Sequence, residues 1–305
     1  MLSIIIINYK TPELTLRCIE SIYASVIDVS FEVIVVDNDS QDNSKELVSS
    51  QYPQIKWVDN DYNAGFGRAN NKGLEQTSGK YILFLNSDML LNKNTLEICL
   101  KEIAEDHKIG VLSCVLFNED GSEQRSRFYH VLNYKEVLKR NLFIDKLYKF
   151  KNEEIKAVIG AFMLIPKAVL DKVGGFDPDF FMYSEELELC KRIRDAGYTI
   201  AQTQNTSAIH KHGGSTTSSN WSLKQKFVSN LLMYRKVHGF FGYLLFNLVF
   251  IFNSITNFFL MWLLDKNYRK AYWNEQKLYL FSLKYLFVLC FWNSRKSNDF
   301  LKVEL

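Results

Sequence analysis

The sequence predicts an α/β fold: a mostly parallel sheet with helices on both faces, followed by a helical C-terminal appendage. Three observations predict it. Short apolar runs without alternation, at 2–8, 31–36 and 80–85, suit strands buried on both faces of a sheet. Stretches of helical length separate them, so strand and helix alternate over residues 1–116. Charge is also divided unevenly: residues 221–305 hold 12 Lys/Arg against 4 Asp/Glu, whereas residues 1–220 hold 25 against 30. An acidic body, 1–220, thus carries a basic, aromatic tail, 221–305.

In order, residues 2–8 form a first strand. Pro12 opens a helix whose Leu14, Cys18, Ile19 and Ile22 share one face. A second strand, 31–36, ends at Asp37-Asn38-Asp39-Ser40, and a polar helix follows to about residue 50. A third strand is read at 55–58, and the Asn- and Gly-rich segment 63–73 starts a loop and helix. The strand 80–85 ends at Asn86-Ser87-Asp88; a helix over 93–105 and a strand over 109–116 complete the alternation. Residues 118–154 are charged and aromatic without a period, and Arg125 and Arg127 there read as a solvated face. A strand over 155–165, interrupted at Gly160, precedes a short helix, 166–173, and the loop Gly174-Gly175-Phe176-Asp177-Pro178. Ser184 caps a helix that Gly197 ends. Two short strands, 198–202 and 206–210, lead to a Gly-rich loop beginning at His210.

Composition narrows the classes. A chain of 305 residues with 47% hydrophobic and 14% aromatic content builds a packed core, and 4 prolines and 14 glycines argue against a long disordered linker. The five cysteines are scattered and lack paired metal spacing, so they read as reduced, buried thiols of a cytosolic protein. The run Ile4-Ile5-Ile6-Ile7 reads as a strand, being too short for a signal peptide. Residues 239–264 carry no charge, are long enough to span a bilayer and are flanked by Arg235, Lys236, Lys266, Arg269 and Lys270. Asn247, Asn253, Ser254, Thr256 and Asn257 interrupt them, and the second apolar stretch, 278–292, contains Lys284. The favoured reading is helices lying in the membrane interface through 239–292, with a single spanning helix or a buried helical hairpin as alternatives. That makes the protein peripheral or monotopic at the cytoplasmic face of the cell membrane, with no nucleic acid partner.

Open α/β sheets bind ligands beyond the carboxyl ends of their strands. Polar clusters stand there: Asn8-Tyr9, Asp37-Asn38-Asp39, Asn86-Ser87-Asp88 and the loop at His210, while Glu185-Glu186 starts a helix after an aromatic run. Each cluster has a plain alternative. The aspartates can cap helices, the glutamates can complement a helix dipole, and the histidines can be ordinary loop residues.

Taken together, these residues resemble a bacterial member of glycosyltransferase family 2, the GT-A nucleotide-diphospho-sugar transferase fold, in its rhamnosyltransferase-like surface-polysaccharide branch. The resemblance lies in residues 4–9, 32–40 (EVIVVDNDS), 63–73 (NAGFGRANNKG), 83–88 (LFLNSD), 160–166 (GAFMLIP), 173–177 (VGGFD), 180–190 (FFMYSEELELC) and 210–215 (HKHGGS), and spans roughly 1–235. It implies an inverting, metal-dependent transfer of a sugar from a nucleotide-diphosphate donor to a lipid-linked or growing glycan acceptor. It divides the catalytic domain into a nucleotide-binding part, about 1–116, and an acceptor-binding part, about 117–220. The family's metal motif is an acid pair spaced by one residue. Asn86-Ser87-Asp88 matches it with an amide first, leaving Asp88 as its carboxylate. His210, with His212 as the alternate, is implied as a further ligand of Mn²⁺ or Mg²⁺, and imidazole favours Mn²⁺. The resemblance implies Glu186 as general base, one methylene longer than the usual Asp, and Glu185 if the helix start shifts. It implies Tyr9, Asp37, Asp39, Asn70, Asn71, Asn86 and Asp88 at the donor nucleotide, and Gly175 and Asp177 at the acceptor.

Two other classes share the architecture. A sugar-phosphate nucleotidyltransferase wants a Gly-rich, basic loop after the first strand, which Asn8-Tyr9-Lys10-Thr11-Pro12 is not. A non-catalytic glycan-binding protein draws support only from the Asn86 and Glu186 departures.

Overall fold

The computed structural model describes residues 1–25, 28–129, 154–211 and 219–260, then 273–274, 276–278, 280–281, 283–285, 288–289 and 300–303. They fall into two compact units, the second taking residues 182–184 and those from 219 onward. The first unit is built on an eight-stranded sheet: β1 (Leu2–Asn8), β2 (Phe31–Asp37), β3 (Lys56–Asp59), β4 (Tyr81–Asn86), β5 (Met89–Leu91), β6 (Ile109–Phe117), β9 (Phe162–Pro166) and β10 (Thr199–His210). The remaining strands, β7 (Arg127–Phe128) and β8 (Ala157–Val158), pair with each other. The sheet order is β3-β2-β1-β4-β9-β6-β10-β5.

The expected helices on both faces are present. β1 shows why, since Leu2, Ile4 and Ile6 join one core and Ile5 the other. The first core packs α1 (Pro12–Ser25), α2 (Ser44–Gln51) and α4 (Thr95–Glu105) through residues such as Ile19, Val48 and Leu96. The second packs α3 (Gly65–Leu74), α5 (Lys167–Val173) and α6 (Glu185–Asp195) through Ala69, Leu170 and Leu189. Cys18, Cys99, Cys114 and Cys190 are free and buried, and burial pushes the Cys114 and Cys190 thiols up to about 12. Cys290 lies outside the described residues.

Two expectations need correction, and one strand is an addition. The sheet is more mixed than a mostly parallel reading implies: β1 runs parallel to β2 and β4, and β6 to β10, but β9 is antiparallel to both β4 and β6. An apolar run records burial, not direction, so the reversal is not written in it. The two short strands at 198–202 and 206–210 are one strand, β10, with a register shift between Thr203 and Ser207. The three-residue β5, antiparallel to β10, was not anticipated. The interruption at Gly160 is real and falls between β8 and β9.

The amino ends of the strands are pinned by Glu32. Its carboxylate accepts from Ser3 Oγ and Lys56 Nζ at 2.6 Å, and from the backbone N and Oγ of Ser78 at 2.7 Å. Burial pushes this carboxyl up, but Lys56, Ser3 and Ser78 together hold it down at about 2. Gly65, the first residue of α3, has φ 78°, and a Cβ there would stand 2.1 Å from the Phe181 carbonyl oxygen. The neighbouring Phe66 N donates to that same oxygen at 2.8 Å, so the chain leading into α6 is held against the start of α3.

In the second unit, α7 (Ser219–Leu260) is broken at Gly239, whose φ of 69° and ψ of −171° are not helical. The first arm is tied to the end of the chain: Gln225 Nε2 donates to Leu301 O, Gln225 Oε1 accepts from Val303 N, and Trp221 Nε1 donates to Val303 O. The second arm buries Tyr243, Phe246 and Phe250 and exposes Phe241, Leu245, Leu248, Phe252, Ile255 and Phe258. Among the described residues no helix is long and apolar enough to cross a membrane. Lys266, Arg269, Lys270 and, within 278–292, residues 279, 282, 286–287 and 290–292 lie outside the described residues.

Gly65→Ala adds a left-handed alanine and an overlap with Phe181, so chemical denaturation will show a loss of about 2 kcal/mol or more. For Glu32 the folded-state value is depressed, so its contribution is complete above the ordinary glutamate value and lost as pH falls toward 2. Denaturation curves of Glu32→Gln and the unaltered protein will therefore differ at neutral pH and converge in acid.

Candidate active site

The carboxyl ends of β1, β2 and β4 meet through one buried amide. Asn8 is fully buried and pairs in register with Asp37. Its Nδ2 donates to Asp37 Oδ1 at 2.6 Å and to Ser40 Oγ at 3.0 Å; its Oδ1 accepts from Thr11 and Thr15 hydroxyls at 3.2 and 2.7 Å. Thr11 reaches on to Ser87 Oγ at 3.3 Å, linking the turn after β1 to the turn after β4. Asp37 Oδ2 accepts from Ser40 N at 2.9 Å, so both carboxylate oxygens are oriented while the residue stays half-buried. Asn38 is structural: its side chain bridges Asn60, Asn63 and the backbone of Ala64 and Gly65. Tyr9 is half-buried, with the Lys10 ammonium 5.5 Å from its ring centre. Lys10, Asp39 and Gln41 have φ of 57°, 64° and 52°, left-handed values that concentrate where ligands bind.

Beyond β4, Asn86, Asp88 and His210 come together. β5 returns along β10 with Met89 opposite His210, and Lys211 N donates to Asp88 O at 3.0 Å. This ladder fixes both residues. His210 Nε2 stands 3.3 Å from Asp88 Oδ1 and 3.4 Å from Asn86 Nδ2. Its Nδ1 stands 2.8 Å from Gln124 Oε1. Asp88 and His210 are both more than nine-tenths buried. Gln124 gave no signal in the sequence, being one polar residue in a charged stretch after β6.

Glu185 and Glu186 start α6. Tyr183 and Ser184, just before it, both have φ of 70°. Glu185 is 3% exposed, with its Cβ 3.8 Å from the position a Cβ on Gly67 would take. Glu186 is half-buried, its Cβ equally close to Gly160. Ala161, next to Gly160, accepts from Asn86 N at 3.0 Å, which puts Glu186 at the same sheet edge as Asn86. The loop after α5 is built from main-chain contacts. Arg192 grips Glu188 with Nε and Nη2 and donates to the carbonyls of Val173 and Gly175. Asn71 donates to Phe176 O at 2.7 Å and accepts from Phe176 N at 2.8 Å. Asp177 Oδ1 accepts from Asp179 N at 3.0 Å.

The sequence-predicted residues therefore divide. Tyr9, Asp37, Asp39, Asn86, Asp88, His210 and Glu186 gather at the carboxyl edge. Asn71 spends both ends of its amide on Phe176, and Asn70 is 1% exposed with its Nδ2 on Phe66 O, so both serve the packing of α3. His212 lies outside the described residues. Among the described residues no three His, Cys, Asp or Glu side chains converge. Asp88 and His210 nevertheless fit a divalent cation: a carboxylate oxygen and an imidazole nitrogen face one another in a buried corner, a mixed set that suits Mn²⁺.

A family model described as Glycosyl transferase family 2 matches residues 3–174. The chain is 30% identical over 216 residues to the low-salt glycan biosynthesis hexosyltransferase Agl10 of Haloferax volcanii, covering 68% of this chain and 66% of that one. It is 25% identical over 253 residues to the rhamnosyltransferase WbbL of Escherichia coli, covering 74% and 91%. It is 22% identical over 209 residues to an N-acetylglucosaminyl-diphospho-decaprenol L-rhamnosyltransferase of Mycobacterium tuberculosis, covering 60% and 67%. In fold it is similar to the mannosyltransferase PcManGT of Pyrobaculum calidifontis, solved with GDP-Man and Mn²⁺: TM-score 0.59 at 15% identity, covering 93% and 86%.

Proposed function

The chain belongs to glycosyl transferase family 2, and on that footing we propose that it is an inverting, divalent-cation-dependent glycosyltransferase of hexosyltransferase type. It moves a sugar, rhamnose by analogy with two relatives, from a nucleotide-diphosphate donor to an acceptor in cell-surface polysaccharide biosynthesis. The name of the mycobacterial relative favours a lipid-linked acceptor. The observation that carries the reading is the gathering of Asp37, Asp88, His210 and Glu186 along one edge of the sheet, the edge where such folds bind ligands.

The donor nucleotide lies over β1 and β2, with Tyr9 against the base and Asp37 accepting from base or ribose. Asn8 and Ser40 hold the Asp37 carboxylate in place for this. Asp88 and His210 would hold Mn²⁺ or Mg²⁺, which when bound offsets the negative charge of the leaving diphosphate. Glu186 takes the proton from the acceptor hydroxyl. The freed oxygen bonds to the anomeric carbon on the face opposite the diphosphate. The bond from that carbon to the phosphate oxygen breaks, and its electron pair leaves with the nucleoside diphosphate. Glu186 suits the base better than Glu185, which packs beside Gly67 and is nearly inaccessible. Gly175 and Asp177 belong to the loop that Arg192 and Asn71 brace, which meets the acceptor.

The second arm of α7 lies in the membrane interface at the cytoplasmic face, which brings a lipid-linked acceptor to the enzyme. Phe241, Leu245, Leu248, Phe252 and Ile255 recur at helical spacing and are exposed, from 48% at Leu245 to 82% at Phe241. No charge interrupts 239–264.

Incubated with a panel of nucleotide-diphosphate sugars and Mn²⁺, the protein will release nucleoside diphosphate when acceptor is present. Asp88→Ala will abolish transfer and weaken Mn²⁺-dependent nucleotide binding. Glu186→Ala will slow transfer by about 100-fold or more while nucleotide binding persists. Full transfer in either variant overturns the assignment. In flotation with anionic phospholipid vesicles, the protein will rise with the lipid and the double variant Phe241→Asp/Leu248→Asp will stay behind; equal flotation of both rules out the interfacial face.

A further inference from the structure

Gln124 touches none of the substrates in the scheme above, yet it is buried and every polar atom of its side chain is engaged. Its backbone N donates to Leu116 O at 2.7 Å, which fixes it beside the end of β6. Its Nε2 donates to His210 O at 3.2 Å and to Asn118 Oδ1 at 2.8 Å. Its Oε1 stands 2.8 Å from His210 Nδ1. The side chain thus grips both the main chain and the ring of one histidine.

We propose that Gln124 is a positioning residue that holds His210 in the tautomer with hydrogen on Nδ1, so that Nε2 presents a lone pair beside Asp88 and Asn86, prepared to bind a divalent cation. The inference rests on the reading of His210 as a cation ligand. It follows in three steps. A backbone carbonyl only accepts, so the Gln124 atom facing His210 O is the NH₂ group. Turning the amide over would set its oxygen against that carbonyl and against the Asn118 Oδ1. The atom facing Nδ1 is then the amide oxygen, which only accepts, so Nδ1 carries the hydrogen. Distance agrees. The Gln124 contact, at 2.8 Å, lies within the ordinary N–H···O range of about 2.7–3.2 Å, and the 3.3 Å to Asp88 lies outside it. The hydrogen belongs on the Gln124 side.

That assignment leaves an imidazole lone pair beside a carboxylate oxygen in a buried corner. Asn86 Nδ2, 3.4 Å from Nε2, offers that lone pair only a long donor contact, and a cation lying between the imidazole nitrogen and the carboxylate oxygen would bind both acceptors. Metal-binding histidines are commonly oriented in this way, with the second ring N–H given to an oxygen behind it. Here that oxygen comes from Gln124, which is neutral. It orients the ring without adding negative charge to a corner that already holds Asp88.

The test is NMR of the full chain labelled with ¹⁵N-histidine, metal-free and at mildly alkaline pH, where an ordinary imidazole is neutral. His210 will show the Nδ1–H form. Gln124→Leu will move it toward Nε2–H and weaken Mn²⁺ binding, followed by electron paramagnetic resonance, about 10- to 100-fold. Gln124→Glu, which keeps an acceptor behind Nδ1, will retain the wild-type tautomer; a merely space-filling role would not separate the two variants. An Nε2–H form in the unaltered protein overturns the inference and needs no variant to fold. So does undiminished Mn²⁺ binding by Gln124→Leu when the unaltered protein binds Mn²⁺. If the unaltered protein binds no Mn²⁺, the cation reading itself fails, an outcome distinct from the other two.

Discussion

The site depends on the side-chain amide of Asn8. It is fully buried, and it makes two donor and two acceptor contacts, to Asp37, Ser40, Thr11 and Thr15. A buried polar group left without a partner costs about 1–3 kcal/mol, so the four contacts are strongly favoured to form together. Because β1 and β2 run parallel with Asn8 opposite Asp37, satisfying this amide also aligns the two strand ends. The Thr11–Ser87 contact extends the alignment to the turn that carries Asp88. The loops at this edge are therefore positioned by the interior of the fold.

The same edge shows an economy of charge. Asn86 stands where an acid would be expected, and Asp88 is the one carboxylate of its turn. A second buried acid would raise the cost of holding either one ionised in the absence of a cation. With one acid, one imidazole and one amide, the corner carries a single carboxylate. Glu185 and Glu186 differ in depth: the first is 3% exposed beside Gly67 and the second is half-buried beside Gly160.

Much of this was legible in the residues. β1, β2 and β4 were read close to their final bounds because a strand buried on both faces leaves an unbroken apolar run. The placement of Asp37, Asp88 and His210 at the carboxyl ends of strands was legible because each ends or follows such a strand. What escaped was information that apolar patterning does not carry. The direction of β9 is set by where the chain returns after β8. β5 is three residues long, too short for a period. β10 looked like two strands because Gln204-Asn205-Thr206 breaks its apolar pattern, although the strand continues through a register shift. Asn70 and Asn71, expected at the nucleotide, make their hydrogen bonds to Phe66 O and to the Phe176 backbone, contacts that one dimension does not display. Gln124 acts through a contact 86 positions away in the chain.

The pairing of β5 with β10 also has a consequence for how the protein is made. Asn86 and His210 meet across 124 positions of sequence. During synthesis from the amino end, β1 to β4 can join and form their half of the sheet while β10 is still unmade. The corner at Asp88 closes only when the last strand of the unit arrives and binds β5 in place. A growing chain can thus acquire the Asn8–Asp37 half of its edge well before it can assemble the Asp88–His210 corner, which waits for the end of folding of the first unit.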